Sequence, residues 1–583
     1  MDKALESSPL SENSKQNIRQ WLKDEKYSHY LQELEGLIEN QEWHLLEDNF
    51  FRVLPFGTGG RRGTCGIGSN RVNRVTIGET VQALCDYMRG LYGKKELRVG
   101  IAYDSRTTSQ EFAEYCANVL SGNGIKSFIF DGPRSTPELS FTVRDMSLDA
   151  GIVITASHNP SSDNGIKLYW KDGGQLVPPH DSEILKIAAS VEFIKESETQ
   201  IEEDPLVSIL GTEQDERYWQ AAQNCITEVK SDLKIAYSPL HGTGITSTYP
   251  VLVRSGFDVR LYEPQSNMDG HFPNVTNNIP NPEMPEANDR LSEFSLEQDC
   301  DIATSNDPDA DRFCVLVNHN GKMVQLNGNQ SAVLLTDYVL ERLKDKGELT
   351  EKHFISSTIV TSDMLLALAN FYGVKAYSNL LVGFKYIGEQ ILIHHDGGDE
   401  IFVCGGEESY GGVVGDYCRD KDAAGPTAVI AELAAKLKSE DKTLIDKLEE
   451  LYLRHGFYWE DLYSIGFPGA EGFSMMVNFM DKLRNQTPKE IAGFKVVRVR
   501  DYLDGKEIEG RKENVFRIEL SEDGTTRVTV RPSGTEPKIK IYTQYFAPVD
   551  GNVEVIRGRA LANVDLIKKS IVKMIDELKG VNG

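Results

Sequence analysis

The stretch LRVGIAYDSRTTSQEFAEYCANVLSGNGIKSFIFDGPRSTPELSFTVRDMSLDAGIVITASHNP (97–160) decides the fold class. LRVGIAYD (97–104) is an apolar run that predicts a buried strand. SQEFAEYCANVL (109–120) has helical spacing, and KSFIF (126–130) predicts a second strand. PELSFTVRD (137–145) predicts a second helix and AGIVIT (150–155) a third strand. Alternating strands and helices are the pattern of α/β layers on largely parallel or mixed sheets. The alternation restarts at LKIAYS (233–238), HFISSTIV (353–360) and DEIFVCG (399–405).

Outward from this block the character changes at both ends. Residues 10–50 predict a helical extension packed on the first domain, with Ser14 as cap and a stripe of Ile18, Trp21, Leu22, Tyr30, Leu31, Leu34 and Leu37. At the other end VVRVRDY (496–502), VFRIEL (515–520), TRVTV (526–530) and IKIYTQ (539–544) predict strands joined by short turns. A long helix near 557–578 follows them, so the tail is an antiparallel α+β domain. A chain of 583 residues has room for roughly three to five domains.

A net charge of −26 argues against a nucleic-acid partner, which needs a basic face. It leaves room for a small anionic substrate held by a few arginines and lysines. No apolar run approaches the ~20 residues of a membrane span, and residues 1–16 lack the apolar segment of a secretory signal. The eight cysteines form no CxxC pair and read as reduced core residues, which predicts a cytoplasmic protein.

Polar, glycine-bearing segments directly follow apolar strands: SHNP after GIVITA, HGTG after KIAYSPL, NDPDADR after DIAT, and GGEESYG after IFVC. Ligands in α/β proteins bind at the carboxyl ends of strands, so these four loops predict one composite cleft. Ser157 is read locally in two ways, as an exposed strand-end serine or as a turn residue that caps a following helix with Asn159. No GxSxG elbow surrounds it. In Asp307-Pro308-Asp309-Ala310-Asp311-Arg312 three carboxylates at i, i+2 and i+4 of an extended segment project to one side. Their repulsion is resolved by a hard divalent cation, the alternative being a solvated acidic loop. An EF-hand is excluded, because its sixth position is Arg312 and its twelfth Asn318. FGTGGRRG (56–63) and RPSGTEPK (531–538) combine glycines, hydroxyls and basic groups as anion cradles do, or are plain turns. Gly405–Gly411, with Glu407 and Ser409, suits sugar hydroxyls or is an acidic surface turn.

Together TASHNP with NGIKLY, PLHGTG, DPDADR, GEESYG and RPSGTEPK resemble the α-D-phosphohexomutase superfamily of phosphoglucomutases, phosphomannomutases and relatives, in the family's order and at plausible spacing, and with FGTGGRRG the motifs run from about 56 to 538. The long N-terminus, GFKYIGE (383–389, with Lys385) and RDKDAAG (419–425) resemble the branch of bacterial phosphoglucomutases and phosphopentomutases. The resemblance implies an α/β fold of three mixed-sheet domains plus a C-terminal α+β domain around a central cleft. The corresponding divisions are 1–206, 207–323, 324–455 and 456–583. It implies that Ser157 carries the transferable phosphoryl group, and that one Mg²⁺ is held by phospho-Ser157, Asp307, Asp309 and Asp311. Lys167 matches the acid–base position, which requires a depressed ammonium, and Arg62 and Arg312 face the transfer site. Glu407 and Ser409 match the sugar contacts. Arg531, Ser533, Gly534, Thr535 and Lys421 match the groups on the non-reacting phosphate. His158 is read either as a base or as a loop-stabilising residue.

The activity so implied interconverts glucose 1- and 6-phosphates through glucose 1,6-bisphosphate. Phosphomannomutase, phosphopentomutase and glucose 1,6-bisphosphate synthase stand on the same scaffold. A non-catalytic sugar-phosphate-binding protein and a Mg²⁺-dependent phosphatase are readings from other classes. A monomer and a homodimer both fit this reading. Two positions depart from the family pattern: Arg61 would add a second basic group to the first loop, and Val382 stands where relatives have threonine.

Overall fold

The computed structural model describes all residues except 56–59, 228–230, 468, 534–537 and 579–583. Two compact units are present. The first comprises Met1–Leu326, Phe384–Gly398 and Tyr410–Ala435, the second Asn327–Gly383, Asp399–Ser409 and Lys436–Gly583.

The opening stretch forms the heart of a six-stranded sheet in the first unit. Its strands run Arg61–Thr64, Asp163–Trp170, Ala150–Ile154, Arg98–Tyr103, Lys126–Phe130 and Val207–Leu210. The last four are mutually parallel, and Asp163–Trp170 returns antiparallel to Ala150–Ile154, so the sheet is mixed. Helices Ser109–Gly122 and Thr136–Asp145 make the crossovers. Ser135 caps the second, accepting from Glu138 N. A second mixed sheet orders Lys322–Gln325, Phe313–His319, Ile302–Asn306, Lys234–Ser238 and Asp258–Leu261.

The second unit holds the parallel strands Lys375–Leu380, His353–Thr358 and Ile401–Glu407. It also contains a five-stranded antiparallel sheet of Phe457–Gly466, Lys538–Ala547, Arg527–Pro532, Phe516–Glu519 and Arg498–Asp501. Helices Gly469–Asn485 and Val553–Leu578 close one face of this sheet through Phe479, Met480, Ile567 and Ile571. Three α/β layers and a C-terminal α+β domain are therefore the fold. The ten-residue strand Phe457–Gly466 escaped the sequence reading because FYWEDLYSIG mixes acidic residues with aromatics.

The N-terminal extension is four short α-helices, Asp2–Glu6, Glu12–Lys23, Leu31–Glu39 and Trp43–Phe50, rather than one long element. Its cap is Ser11, whose side chain accepts from Ser14 N, and Ser14 itself is buried inside the helix. Trp21 stacks on Tyr27 (4.4 Å between centroids) and meets Phe50 edge-on at 5.2 Å. These rings join Leu34, Leu46 and Leu54 in the same core as the six-stranded sheet. Phe50→Ala therefore removes a fully buried ring from this core. It is expected to destabilise the first unit by about 3–5 kcal/mol, measured as a fall in the urea midpoint followed by circular dichroism.

Candidate active site

Strand Ala150–Ile154 ends at Thr155, whose Oγ1 accepts from Ser157 N at 2.7 Å and donates to Asp104 Oδ2 at 2.6 Å. Ser157 adopts φ +51°, a strained conformation for a residue with a Cβ, and only 1% of its surface is exposed. No helix follows, because the chain returns as Asp163–Trp170, so Ser157 is not a cap. Its hydroxyl donates to Asp307 Oδ2 at 2.5 Å and lies 3.3 Å from His158 Nδ1. Arg62 Nη1 reaches Asn159 Oδ1 at 3.5 Å. Arg61, its neighbour on a pleated strand, points the other way. It is buried against Glu79 (3.4 Å) and Thr76 O (3.1 Å) and adds no second basic group to the loop.

The aspartates converge by a tight turn, not by extended alternation. Ala310 sits at φ +49° between strands Ile302–Asn306 and Phe313–His319, Ala310 N donates to Asp307 O, and Arg312 N donates to Asp307 Oδ1. Asp307, Asp309 and Asp311 are all buried, with carboxylate oxygens within 4.8 Å of one another. Burial, reinforced by the two neighbouring charges, pushes Asp307 well above the usual carboxylate range. Burial works the same way on Asp309 and Asp311, but the Lys167 ammonium overrides it and holds both low, with Lys421 and Arg312 also acting on Asp311.

Lys167 donates to Asp309 Oδ2 at 2.7 Å and to Asp311 Oδ2 at 3.0 Å. Burial would depress it, yet these two carboxylates raise it above its ordinary value. The depressed ammonium expected from sequence is thus replaced by a firmly cationic one. Lys421 pairs with Asp311 at 3.1 Å and with Asp420 at 3.3 Å, which puts it beside the aspartates. Arg312 Nε stands 3.9 Å from Asp307 Oδ2 and 3.8 Å from Asp311 Oδ1, and its Nη1 is bound by Glu283. Lys385 is buried on Asp181 at 3.2 Å.

The donor set fits a divalent cation. Asp309 Oδ1 and Asp311 Oδ1 are buried acceptors without a hydrogen-bond partner, and oxygen-only ligands of this charge suit a hard metal ion.

In the second unit Ser409 Oγ donates to Glu407 Oε1 at 2.7 Å, beyond the carboxyl end of strand Ile401–Glu407. Arg531 is buried, lies 3.4 Å from Glu513, and is the direct cross-strand partner of Lys540. Ser533 N donates to Lys538 O at 2.8 Å. Gly534 and Thr535, like residues 56–59 of the first loop, lie outside the described residues. Burial, with the Glu407 charge beside it, pushes Glu408 up to about 7, against the pull of Lys540 and Arg531.

Sequence reasoning missed Thr155, Asp104, Arg106 and Thr136. Thr136 Oγ1 donates to Asp309 Oδ2 at 2.7 Å from the first residue of its helix. The signal for Asp104 and Arg106 was present, as an acid and a base immediately after a buried strand.

Family models described as phosphoglucomutase/phosphomannomutase alpha/beta/alpha domains I, II and III match residues 54–195, 216–321 and 327–454. A phosphoglucomutase of Staphylococcus epidermidis is 34% identical over 517 residues, covering 86% of this chain and 92% of its own. One of Staphylococcus aureus is 35% identical over 522 residues, covering 86% and 91%. Among solved structures, a putative phosphomannomutase from Thermus thermophilus matches with TM-score 0.66 at 20% identity, over 90% of this chain and 99% of that one. The open form of the Paramecium phosphoglucomutase parafusin matches with TM-score 0.64 at 17% identity, over 90% and 94%. These two show the fold.

Two measurements test the electrostatics. A saturating divalent cation is expected to raise the melting temperature of the wild type, by about 2.7 kcal/mol of stabilisation at 100 times Kd. Asp309→Asn should abolish most of that shift. Glu408 titrates higher in the folded chain than its ordinary 4.5, so its contribution to stability is complete below pH 4.5 and is lost as pH rises through about 7. Glu408→Gln is therefore expected to reduce the loss of stability between those limits, read from urea midpoints at pH 5 and pH 8.

Proposed function

The chain belongs to the phosphoglucomutase/phosphomannomutase family, and from that premise we propose that it interconverts glucose 1- and 6-phosphates through phospho-Ser157. The single observation that carries this reading is the buried Ser157 hydroxyl on Asp307, inside a triad of aspartates shared with Lys167. A hydrolytic serine would give its proton to a neutral base, whereas this hydroxyl donates to the Asp307 carboxyl at 2.5 Å, with the His158 ring at the longer 3.3 Å, which suits a group that carries phosphate beside a metal site.

On this reading Asp307, Asp309 and Asp311 hold one Mg²⁺ with the phosphoserine. When bound, the ion neutralises charge on the transferring group. The chain's own residues do the rest. The Ser157 Oγ–P bond breaks as a bond forms to the free hydroxyl of the sugar monophosphate, giving glucose 1,6-bisphosphate. Lys167, kept cationic by its two aspartates, gives its proton to Ser157 Oγ and regains one from the attacking hydroxyl. Arg62 and Arg312 supply further positive charge. After the intermediate reorients, Ser157 takes back the other phosphoryl group. Glu407 and Ser409 are assigned to the sugar hydroxyls, and Arg531, Ser533, Gly534, Thr535 and Lys421 to the non-reacting phosphate. The Lys421–Asp311 pair makes Lys421 the assignment most open to test.

The same proposal takes 1–206, 207–323, 324–455 and 456–583 as the domains and the cytoplasm as the location. In support, among the described residues no helix is long and apolar enough to cross a membrane, no disulfide forms, and seven of the eight cysteines are buried.

The test is turnover of glucose, mannose and ribose 1-phosphates with Mg²⁺, together with intact-mass detection of the phosphoenzyme. Glucose 1-phosphate is expected to be the best substrate, and equal or faster turnover of mannose or ribose reassigns the sugar. Ser157→Ala should lose the phosphate-sized mass increment and all turnover while keeping sugar-phosphate binding; retained mutase activity rejects the mechanism.

A further inference from the structure

His241-Gly242-Thr243, the core of PLHGTG, takes no part in the scheme above, yet its contacts run to both reactive loops. On one side, Thr243 N and Oγ1 both donate to Pro308 O, at 2.8 and 2.9 Å, between the first two aspartates. Gly242 lies flat on the same proline, where a Cβ would stand 2.3 Å from Pro308 Cα.

On the other side, His241 is buried with both ring nitrogens engaged. Nδ1 donates to Asn267 O at 2.7 Å, and Nε2 accepts from Asn274 N at 3.3 Å. Only the neutral Nδ1–H ring satisfies a carbonyl and an N–H at once. The loop held in this way presses on Arg106. The Phe272 ring lies 5.3 Å from the guanidinium, and a Cβ on Gly270 would stand 2.7 Å from Arg106 Cα.

Arg106 is 3% exposed and uses all five of its N–H donors. Nη2 donates to Ser157 O and Asn159 O, both at 2.6 Å, and Nη1 to Pro160 O at 2.7 Å and Asp163 O at 2.8 Å. Nε completes the set on Asp104 Oδ2 at 3.2 Å, and that same carboxylate oxygen receives Thr155 Oγ1. Four carbonyls of the serine loop thus converge on one planar fork, a geometry that lysine with its point charge cannot reproduce. The strained φ of Ser157 persists where its surroundings over-determine it, and this fork supplies that constraint.

We propose that Arg106 is the positioning residue that aims Ser157 for phosphoryl transfer, and that the His241–Thr243 segment keeps it in register with the three aspartates. The proposal deepens the mutase reading and rests on it. Displacement by about 1 Å costs about 100-fold in rate when reacting atoms must be aligned. Arg106→Lys is therefore expected to lower kcat about 100-fold with KM for glucose 1-phosphate unchanged. Guanidinium ion added to Arg106→Ala should raise its kcat and leave the wild type unaffected. Thr243→Val should lower kcat in the same way, and Thr243→Ser, which restores the hydroxyl, should rescue it.

Wild-type kcat in Arg106→Lys, a loss confined to KM, or an Arg106→Ala protein that circular dichroism shows folded but guanidinium does not rescue, overturns the proposal. Amide hydrogen exchange of residues 155–159 decides the structural half without any substrate. Faster exchange in Arg106→Lys supports the clamp, and unchanged exchange rejects it. An inactive wild type rejects the mutase reading instead, and the exchange result still stands for the clamp.

Discussion

Three carboxylates buried within 4.8 Å of one another are the constraint on which the first unit is organised. At that separation each like-charge pair costs about 3–4 kcal/mol for an effective dielectric constant near 20. Three pairs approach the 5–15 kcal/mol that stabilises a typical domain. The fold answers in two ways. It brings Lys167, Lys421 and Arg312 to the cluster, and burial with the two neighbouring charges moves Asp307 well above the usual carboxylate range. Asp309 Oδ1 and Asp311 Oδ1 still lack a hydrogen-bond partner, as acceptors kept for a cation would.

Strand periodicity delivers these groups. On Asp163–Trp170, Ile166, Leu168 and Trp170 enter the core shared with the N-terminal helices, which forces Lys167 and Tyr169 onto the opposite face. There Lys167 meets Asp309 and Asp311, and Tyr169 donates to Asp420 at 2.6 Å, next to Lys421. A single register against Ala150–Ile154 therefore sets the lysine and the serine loop together. Slipping that register by one residue would turn Lys167 into the core and Ile166 toward the aspartates.

The alternation of apolar strands and amphipathic helices made the α/β layers legible, because burial on both faces leaves long apolar runs such as LRVGIAY. Ser157 and the aspartates stand directly beyond such runs, whereas Lys167 lies inside a strand and was marked only by the family resemblance of NGIKLY. What stayed hidden depended on φ and on contacts distant in sequence. Nothing in Ser-His-Asn-Pro announces a left-handed serine, and nothing in DPDADR announces that Ala310 would turn the chain. Thr136 touches Asp309 across 173 positions and Arg106 touches Ser157 across 51, so neither pairing leaves a local pattern. The pairing of Lys421 with Asp311 stayed hidden for the same reason, since it spans 110 positions of sequence.

Arg61 and Arg62 show how far such pairings reach into parts with no chemistry of their own. The pleat sends Arg62 toward Asn159 and Arg61 inward, where an isolated buried cation would be costly. Glu79, from the helix Arg74–Tyr92, answers that charge and is itself shared with Lys26 at 3.0 Å. Lys26 lies in the extension and also donates to Val191 O at 2.7 Å. The extension therefore contributes a charge as well as apolar surface to the first sheet. Its lysine and Arg61 sit on one carboxylate, and that arrangement anchors the strand from which Arg62 extends toward the serine loop.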